Sequence, residues 1–233
     1  MYRWVQATLQ PRHYTVGVTE SPGPADEPWP ADEPGPADDR PSLRTDQVAQ
    51  TRAALTAAAR HLFGRDGFAA TSVDDIAREA RLTTGALYHH FPNKTALFES
   101  VFEAVHADLL EASLQAAVGA ADEVELLTLG FSAFLNAVLD PDVQRIIILD
   151  APAVLGLARF TELDERYAFG AITVALSAAT ASGRLRVDDP ETLARLLLGA
   201  LTRGGMLIAN SATPLETRDA VARSLRAMLE GLT

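Results

Sequence analysis

Hydrophobic positions recur with a helical period from about residue 45 onward. In the first such stretch, apolar side chains stand at i, i+3, i+4, i+7 and i+8, one face of an amphipathic helix. They are Leu55, Ala58, Ala59, Leu62 and Phe63. Because glycine is typical of a helix end, the pattern predicts a first helix from Thr45 that Gly64 and Gly67 terminate.

Two short helices and a long one are predicted next. Ser72 stands where an N-cap is expected, with Asp75 three residues later in an approximate capping box. A tight turn, ARLTT, separates this second helix from a very short third one, about Thr84 to His90. Asn93 is suited to cap a fourth helix from about Lys94 to Leu114.

The rest of the chain is also predicted to be helical, since no strand-length alternating segment competes with the 3.6-residue period. Further helices are expected near residues 122–139, 141–149, 159–182, 190–210 and 215–231. Glycine and proline mark the breaks between them, including Asp140-Pro141 and Ala151-Pro152. The predicted fold class is therefore all-α.

The first 42 residues differ in composition, being rich in proline and acid and repeating a Pro-Ala-Asp unit. Such a segment buries too little apolar surface to offset the entropy of ordering, so a disordered tail is expected. A solvated tail or an overlong start of translation is the plainer interpretation, and a regulatory arm is the alternative. The predicted domains are 1–42 as tail, 43–95 as a helix-turn-helix domain and 96–233 as a helical domain.

Charge is distributed unevenly along a chain whose formal net charge is −11. Residues 1–42 carry −4, residues 43–100 carry +1 and residues 101–233 carry −8. The least acidic segment is the one that would meet phosphates, and repulsion of the rest would orient the protein on them.

The cysteine content and the apolar runs indicate where the protein acts and which partners it lacks. The chain has no cysteine, which excludes a disulfide framework and thiolate metal sites. No signal peptide is recognisable, and Arg203 interrupts the best candidate for a membrane span. A cytoplasmic protein without a membrane partner is therefore predicted.

Two helices joined by a short turn, the second short and polar, form the core of a helix-turn-helix. The second helix enters the major groove with its N-terminal residues at the base edges. Those residues here are small, and their hydroxyls, methyls and bare backbone suit base contacts. They are Thr83, Thr84, Gly85 and Ala86. Leu87 and Phe91 are predicted to face inward.

Tyr88, His89 and Lys94 are placed to reach phosphates, Lys94 at a helix N-terminus that itself attracts anions. Plainer interpretations stay open: Tyr88 as a core aromatic, Lys94 as a solvated charge, and Thr83 as only the cap of its helix. His89 and His90 diverge on a helix, so no metal site is predicted there.

The run FGRDGFAATSVDDIAREARLTTGALYHHFPNKTALFESV resembles the DNA-binding domain of the TetR/AcrR family of bacterial repressors. GFAATSVDDIA, TTGALYHHF and NKTALF match in order and spacing, over about residues 46–100. The resemblance implies phosphate contacts from Thr71, Tyr88, His89 and Lys94. It implies base readout by Thr83, Thr84 and Ala86, with Gly85 allowing close approach.

One residue departs from the family pattern. Arg81 stands where the family usually has glycine, just after the second helix. A left-handed backbone there costs a non-glycine residue on the order of 1 kcal/mol. A phosphate contact by Arg81 would compensate.

The resemblance implies an N-terminal three-helix helix-turn-helix domain and a C-terminal helical ligand-binding and dimerisation domain. The last two helices, near 190–210 and 215–231, would pair with a second copy as a four-helix bundle. The implied partners are a double-stranded DNA operator and a small-molecule effector that releases the repressor, with no cofactor. The fourth helix, Thr95 to Leu114, would couple the domains because it joins them.

Several side chains of the helical domain are candidates for an effector pocket, which is mostly apolar with a few orienting polar groups. They are Phe102, His106, Phe131, Phe134, Arg145 and Tyr167. For most of them, an ordinary core role is the plainer interpretation. Two other classes of protein are possible from such a sequence. One is an all-helical enzyme or carrier, but the sequence has no paired carboxylates or nucleophile–base spacing to support it. The other is a scaffold that has lost DNA binding. A non-enzymatic regulator is therefore predicted.

Overall fold

The computed structural model describes the backbone of residues 40–233 and the side chains from Thr45 onward. The predicted tail lies outside the described residues except for its last three positions, which open the first helix. The described residues form helices and no strand, which confirms the all-α prediction.

Eleven α-helical segments and two π-helical segments follow one another in the described residues. In chain order they are α1 (Arg40–Asp66), α2 (Val73–Glu79), α3 (Thr84–His90), α4 (Lys94–Ala116), α5 (Glu123–Ala137), α6 (Pro141–Val143), π1 (Gln144–Asp150), α7 (Ala151–Leu155), α8 (Leu157–Asp164), π2 (Glu165–Phe169), α9 (Gly170–Ala181), α10 (Pro190–Ala209) and α11 (Pro214–Glu230).

The N-terminal ends of α2 and α4 are capped by side chains, which satisfy backbone N–H groups that a helix leaves free. Ser72 Oγ accepts from the Asp75 N–H at 3.1 Å. Asn93 Oδ1 accepts from the Ala96 N–H at 2.7 Å. The two caps predicted from the sequence are confirmed, and they fix where α2 and α4 begin.

The end of α1 differs from the prediction at Gly64. The helix continues to Asp66, and Gly67 ends it with a φ of +85°. Gly64 lies within the last turns, where a Cβ would come within 2.7 Å of Asp142 Cβ. The glycine is therefore needed for close approach of α6, and only Gly67 acts as the predicted terminator.

A shared aromatic core joins the first three helices to α4. The rings of Phe63, Phe68 and Phe98 lie with centroids 5.3–5.6 Å apart, in tilted and edge-on contacts. Phe98 belongs to α4, whose later residues Phe102 and His106 are buried in the helical domain. One continuous helix therefore contacts both the N-terminal and the C-terminal helices within one buried cluster. Its role in coupling stays a prediction.

The helix predicted for residues 141–149 extends further, through π1 and α7 to Leu155. Gly156, with a φ of +75°, follows it. The predicted break at Pro152 is wrong, because the wide π1 turn precedes this proline and accommodates its missing N–H donor. The predicted helix 159–182 likewise contains a π segment, π2.

The last two long helices pack closely at a glycine. A Cβ at Gly204 of α10 would come within 2.6 Å of Val221 Cγ1 on α11. By length and composition alone, α10 could cross a membrane, and so could α5 taken together with the sharply bent run Pro141–Leu155. Instead, α10 places Leu197, Leu201 and Gly204 in the core of the helical domain.

Candidate nucleic-acid interface and internal cavity

The N-terminal tip of α3 is exposed to solvent, and buried side chains of the same helix anchor it. Leu87 and Phe91 are buried, at 0% and 1% exposure, and fix the helix on its neighbours. Thr83 and Gly85 are exposed, and Tyr88 is 52% exposed. The inward and outward sets therefore separate as the sequence predicted, and the interpretation of Tyr88 as a core aromatic is wrong.

The turn between α2 and α3 is a Schellman motif centred on Arg81. The Arg81 N–H donates to the Arg78 carbonyl at 3.0 Å, and the Leu82 N–H donates to the Ala77 carbonyl at 2.8 Å. Arg81 has a φ of 57°, the left-handed conformation in which glycine is usual. The predicted strain is thus present, and the arginine side chain is exposed beside α3.

Hydroxyl groups at the tip already have one partner each inside the protein. Thr83 Oγ1 accepts from the Ala86 N–H at 3.1 Å and caps α3. Thr84 Oγ1 donates to Asp74 Oδ1 at 2.8 Å, which ties α3 to α2. A hydroxyl oxygen that donates once keeps two acceptor lone pairs, so Thr84 can still accept from a base amino group.

Thr71 and Lys94 hold the α1–α2 turn together from inside. The Thr71 hydroxyl, on a residue 3% exposed, donates to the carbonyls of Gly67 (2.8 Å) and Leu62 (3.2 Å). Lys94 Nζ donates to the carbonyls of Phe68 (2.8 Å) and Thr71 (3.0 Å). The phosphate contacts of both stay predictions, and each would have to be made beside these internal bonds.

Arg52 is a basic residue of this face that the sequence reasoning missed. Its guanidinium donates to the His90 carbonyl at 3.1 Å and lies 4.1 Å from the centroid of the Phe91 ring. It thereby satisfies an orphan carbonyl at the end of α3. The partner lies 38 residues away, and local sequence carries no signal of that contact.

The helical domain encloses a largely apolar cavity of about 740 Å³, including its mouth. Four predicted pocket residues line it: His106, Phe131, Phe134 and Tyr167. Phe102 lies behind the wall, with its ring centroid 4.3 Å from that of His106. Its apolar lining with a few polar groups is typical of small-molecule sites.

Polar groups cluster at one end of this cavity, where α4, α8, π2 and α10 meet. His106 Nε2 lies 3.8 Å from Asp164 Oδ1, and it has no hydrogen-bond partner among the described residues. Thr202 Oγ1 lies 3.4 Å from Asp164 Oδ2 and donates to the Leu198 carbonyl at 3.1 Å. Asp164 and Thr202 are cavity residues that the sequence reasoning missed.

Burial sets the protonation of this cluster. Desolvation lowers the pKa of His106 to about 4, so the imidazole is neutral at pH 7. Desolvation also raises the pKa of Asp164 to about 7, against a small lowering effect of the Thr202 hydroxyl. The two side chains are therefore not an ion pair, despite their separation of less than 4 Å.

Arg145 does not reach the cavity. Its Nη1 donates to the carbonyl of Arg65 at 2.6 Å, at the end of α1. At the other end of π1, Asp150 Oδ2 accepts from the Phe68 N–H at 2.7 Å. The π1 segment therefore connects the helical domain to the α1–α2 turn through two hydrogen bonds.

No group of three or more histidine or acidic side chains is arranged to hold a metal ion in the described range. The candidate surfaces are therefore the α3 tip and the apolar cavity.

Two family models match the chain. Residues 55–101 match the model described as "Bacterial regulatory proteins, tetR family". Residues 124–232 match "Tetracyclin repressor-like, C-terminal domain". The first covers most of the α1–α3 region and the start of α4, and the second covers the domain that contains the cavity.

Relatives of the same kind are found among curated proteins and solved structures. A TetR-family transcriptional regulator from Pectobacterium atrosepticum is 33% identical, with a TM-score of 0.72 over 80% of this chain and 96% of that one. The Tn10 TetC protein of Escherichia coli is 26% identical over 66% of this chain and 78% of that protein. The regulator TtgR of Pseudomonas putida is 37% identical over 44% of this chain and half of that protein.

Proposed function

Because this chain belongs to the TetR family of DNA-binding transcriptional regulators, we propose that it is a repressor released from its operator by a small molecule. The observation that supports this most is the α3 tip, which is polar, exposed and held on the buried Leu87 and Phe91. Two such tips, one from each copy of a dimer, would enter successive major-groove faces of a pseudo-palindromic operator. The protein would then act in the cytoplasm, where a bacterial operator lies.

The side chains of the tip divide into two tasks. Thr83, Thr84 and Ala86, with Gly85 for close approach, would meet base edges and so set sequence preference. Phosphates would be bound by exposed or half-exposed groups around them, which position the reader without reading sequence. These are Arg81, Tyr88, His89 and Lys94, together with Thr71 if its hydroxyl gives up an internal bond.

Fluorescence anisotropy with a duplex from upstream of the protein's own gene tests this proposal. Tyr88→Phe should weaken binding to every duplex about equally, because a phosphate contact carries no sequence information. Thr84→Val should instead change the ranking of operator variants. Exposed Arg186 in the helical domain supplies a control, since Arg186→Ala should alter neither property.

The alternatives to a regulator are outcomes of the same titration. Failure to bind any DNA at low salt would favour an enzyme or carrier, or a scaffold. Equal losses on all duplexes for Thr84→Val would remove its base-reading role while keeping the protein a regulator.

The dimer would form through α10 and α11. Leu196, Leu207 and Met228 on these helices are 65%, 47% and 56% exposed. Apolar side chains exposed together on neighbouring helices are typical of a protein interface, and the same patch on two copies gives a two-fold dimer.

Sedimentation velocity tests that interface. Leu196→Glu combined with Met228→Glu should yield monomers, because burying two carboxylates without partners is costly. Leu157→Glu is the matched control, since Leu157 is 76% exposed and lies on α8. A dimer that survives the double substitution would place the interface elsewhere.

Release by an effector would use the connections between the two domains. The cavity wall includes His106 and Leu109 of α4, whose N-terminal end packs with Phe63 and Phe68. A ligand shifts DNA affinity only by its differential affinity for the two conformations, about 1–3 kcal/mol in typical cases. Asp150→Asn in π1 should therefore reduce the effector's influence on DNA binding more than it reduces effector affinity.

A further inference from the structure

The polar end of the cavity has unused hydrogen-bonding capacity. His106 is 4% exposed, and within the part of the chain that the structure describes its Nε2 is without a partner. Its ring lies between two aromatic rings, with centroids 4.3 Å away at Phe102 and 5.7 Å away at Tyr167. A buried polar atom left unsatisfied destabilises the empty cavity, so a ligand that supplies its partner gains affinity.

The partner must suit two groups at once. Nε2 of His106 and Oδ1 of Asp164 face each other at 3.8 Å, too far for a direct hydrogen bond. A neutral imidazole nitrogen that carries a proton donates, and a carboxylate oxygen accepts. A hydroxyl group both accepts and donates, so one oxygen placed against both atoms satisfies them together.

The charges around the cavity exclude an anionic ligand. Among the described residues, the lining contains no lysine or arginine, and Asp164 is its one carboxylic acid. A carboxylate or phosphate would lose its hydration without a cationic partner, which is strongly unfavourable in an apolar site. The remaining lining is aliphatic or aromatic, apart from hydroxyl groups such as Ser113 and Thr202.

We propose that the cavity binds an uncharged, largely apolar alcohol or phenol whose hydroxyl bridges His106 and Asp164. The apolar body of the ligand would lie along Leu127, Phe131 and Ile172. This inference rests on the proposed effector role of the cavity and adds the chemical class of the effector. The pKa of Asp164, raised by burial to about 7, agrees with a site that prefers a neutral ligand to an anion.

A set of molecules with the same ten-carbon body tests the assignment. Decanol, decyl methyl ether, decylamine and decanoate would each displace the neutral fluorescent probe N-phenylnaphthylamine from the full chain at neutral pH. Decanol should bind at least about tenfold more tightly than the ether, which cannot donate, and than decanoate, which needs a cation.

Variants then locate the preference. Asp164→Leu and His106→Phe should each reduce the advantage of decanol over the ether to less than about threefold, since one hydrogen bond is lost. Leu127→Ala, in the apolar wall, should weaken all four compounds and keep their order. The wild-type ranking is decisive by itself, so the inference remains testable if a variant does not fold.

Each ranking has one meaning. Tightest binding by decylamine would show that Asp164 selects a cation, and tightest binding by decanoate would show an anion site, and either overturns the proposal. Equal binding of decanol and ether would show that the polar end does not contribute. Anisotropy with the operator duplex tests the effector role separately from the ligand class. If decanol binds preferentially but does not release DNA, the proposed ligand class stands and the proposed effector role is wrong.

Discussion

We call α1–α3 with the start of α4 the reader. The reader and the cavity differ in whether their buried polar groups are hydrogen-bonded. In the reader, the buried Thr71 hydroxyl donates to two carbonyls, and Lys94 donates to two more. In the cavity, His106 Nε2 has no hydrogen-bond partner from residues 40–233. The second buried atom without a hydrogen bond in the described range, Arg218 Nε, is 3.3 Å from the Asp219 carboxylate and so is ion-paired.

This difference matches two tasks. A reader must hold its tip in one geometry against DNA, and satisfied polar groups rigidify a structure. A sensor must change when a ligand arrives, and an unsatisfied polar end gives the ligand free energy to release there. The reader's buried polar groups are therefore hydrogen-bonded within the protein, whereas the cavity keeps a buried atom, His106 Nε2, that a ligand can satisfy.

Replacing Asp164 should produce the largest effect on stability. Its folded pKa of about 7 exceeds the unfolded 3.8, so the folded state loses stability as pH rises between these values, by about 4 kcal/mol. Asp164→Asn removes the ionisation and should be more stable than wild type above pH 7. Urea unfolding at acidic and at mildly alkaline pH measures this; an equal pH dependence in both proteins would contradict it.

His106 should contribute the opposite slope. Its folded pKa of about 4 lies below the unfolded 6.5, so protonation of the unfolded state favours unfolding as pH falls from 6.5 toward 4, and the folded state loses about 3 kcal/mol of stability. In wild type, Asp164 offsets this. In Asp164→Asn the stability should therefore rise with pH across that window. Adding His106→Phe should flatten the curve, and a slope that persists would assign the titration to another group.

Breaking the reader's internal bonds should cost somewhat less. Lys94→Met keeps an unbranched apolar side chain but removes the ammonium, which lies over the Phe68 ring and donates to two carbonyls. Hydrogen bonds to a charged group are worth about 2 kcal/mol, and that loss of unfolding free energy is expected. Affinity for all duplexes should fall as well. Arg186→Met, an exposed change in the helical domain, is the control and should leave both unchanged.

Local sequence predicted most of the reader, apart from the contact of Arg52 with His90, and less of the cavity. The caps by Ser72 and Asn93 depend on residues within one turn, so the sequence predicts them, and the family resemblance implied the strain at Arg81. Arg145 contacts Arg65, 80 positions away, because tertiary packing turns it from the cavity to α1. Such a partner leaves no periodic signal in the sequence.

Asp164 is a different case, because a signal existed. Phe160, Leu163, Asp164 and Tyr167 stand at i, i+3, i+4 and i+7, so the carboxylic acid lies on the apolar face of its helix. An acidic side chain at such a position is rarely buried without a reason. The sequence analysis selected the aromatic Tyr167 on this face and missed Asp164, which stands between Phe160 and Tyr167.

The smallest expected effect concerns the strained turn. Arg81→Gly relieves the left-handed backbone at a φ of 57° and should raise the unfolding free energy by about 0.5–1 kcal/mol. If Arg81 binds phosphate, the same variant should bind DNA less tightly and with a shallower salt dependence. A gain in stability with unchanged DNA affinity would contradict a phosphate contact by Arg81.

The central claim, that the α3 tip enters the DNA groove, can be tested by cutting the DNA from that helix. Because the chain has no cysteine, His89→Cys places a single iron-EDTA label on the exposed side of α3, and Leu157→Cys places one on α8. The account predicts that label at residue 89 cleaves bound operator in two clusters about ten base pairs apart, or a multiple of that, while label at residue 157 does not. Cleavage at residue 89 no stronger than that control, on DNA shown to be bound, would contradict the account.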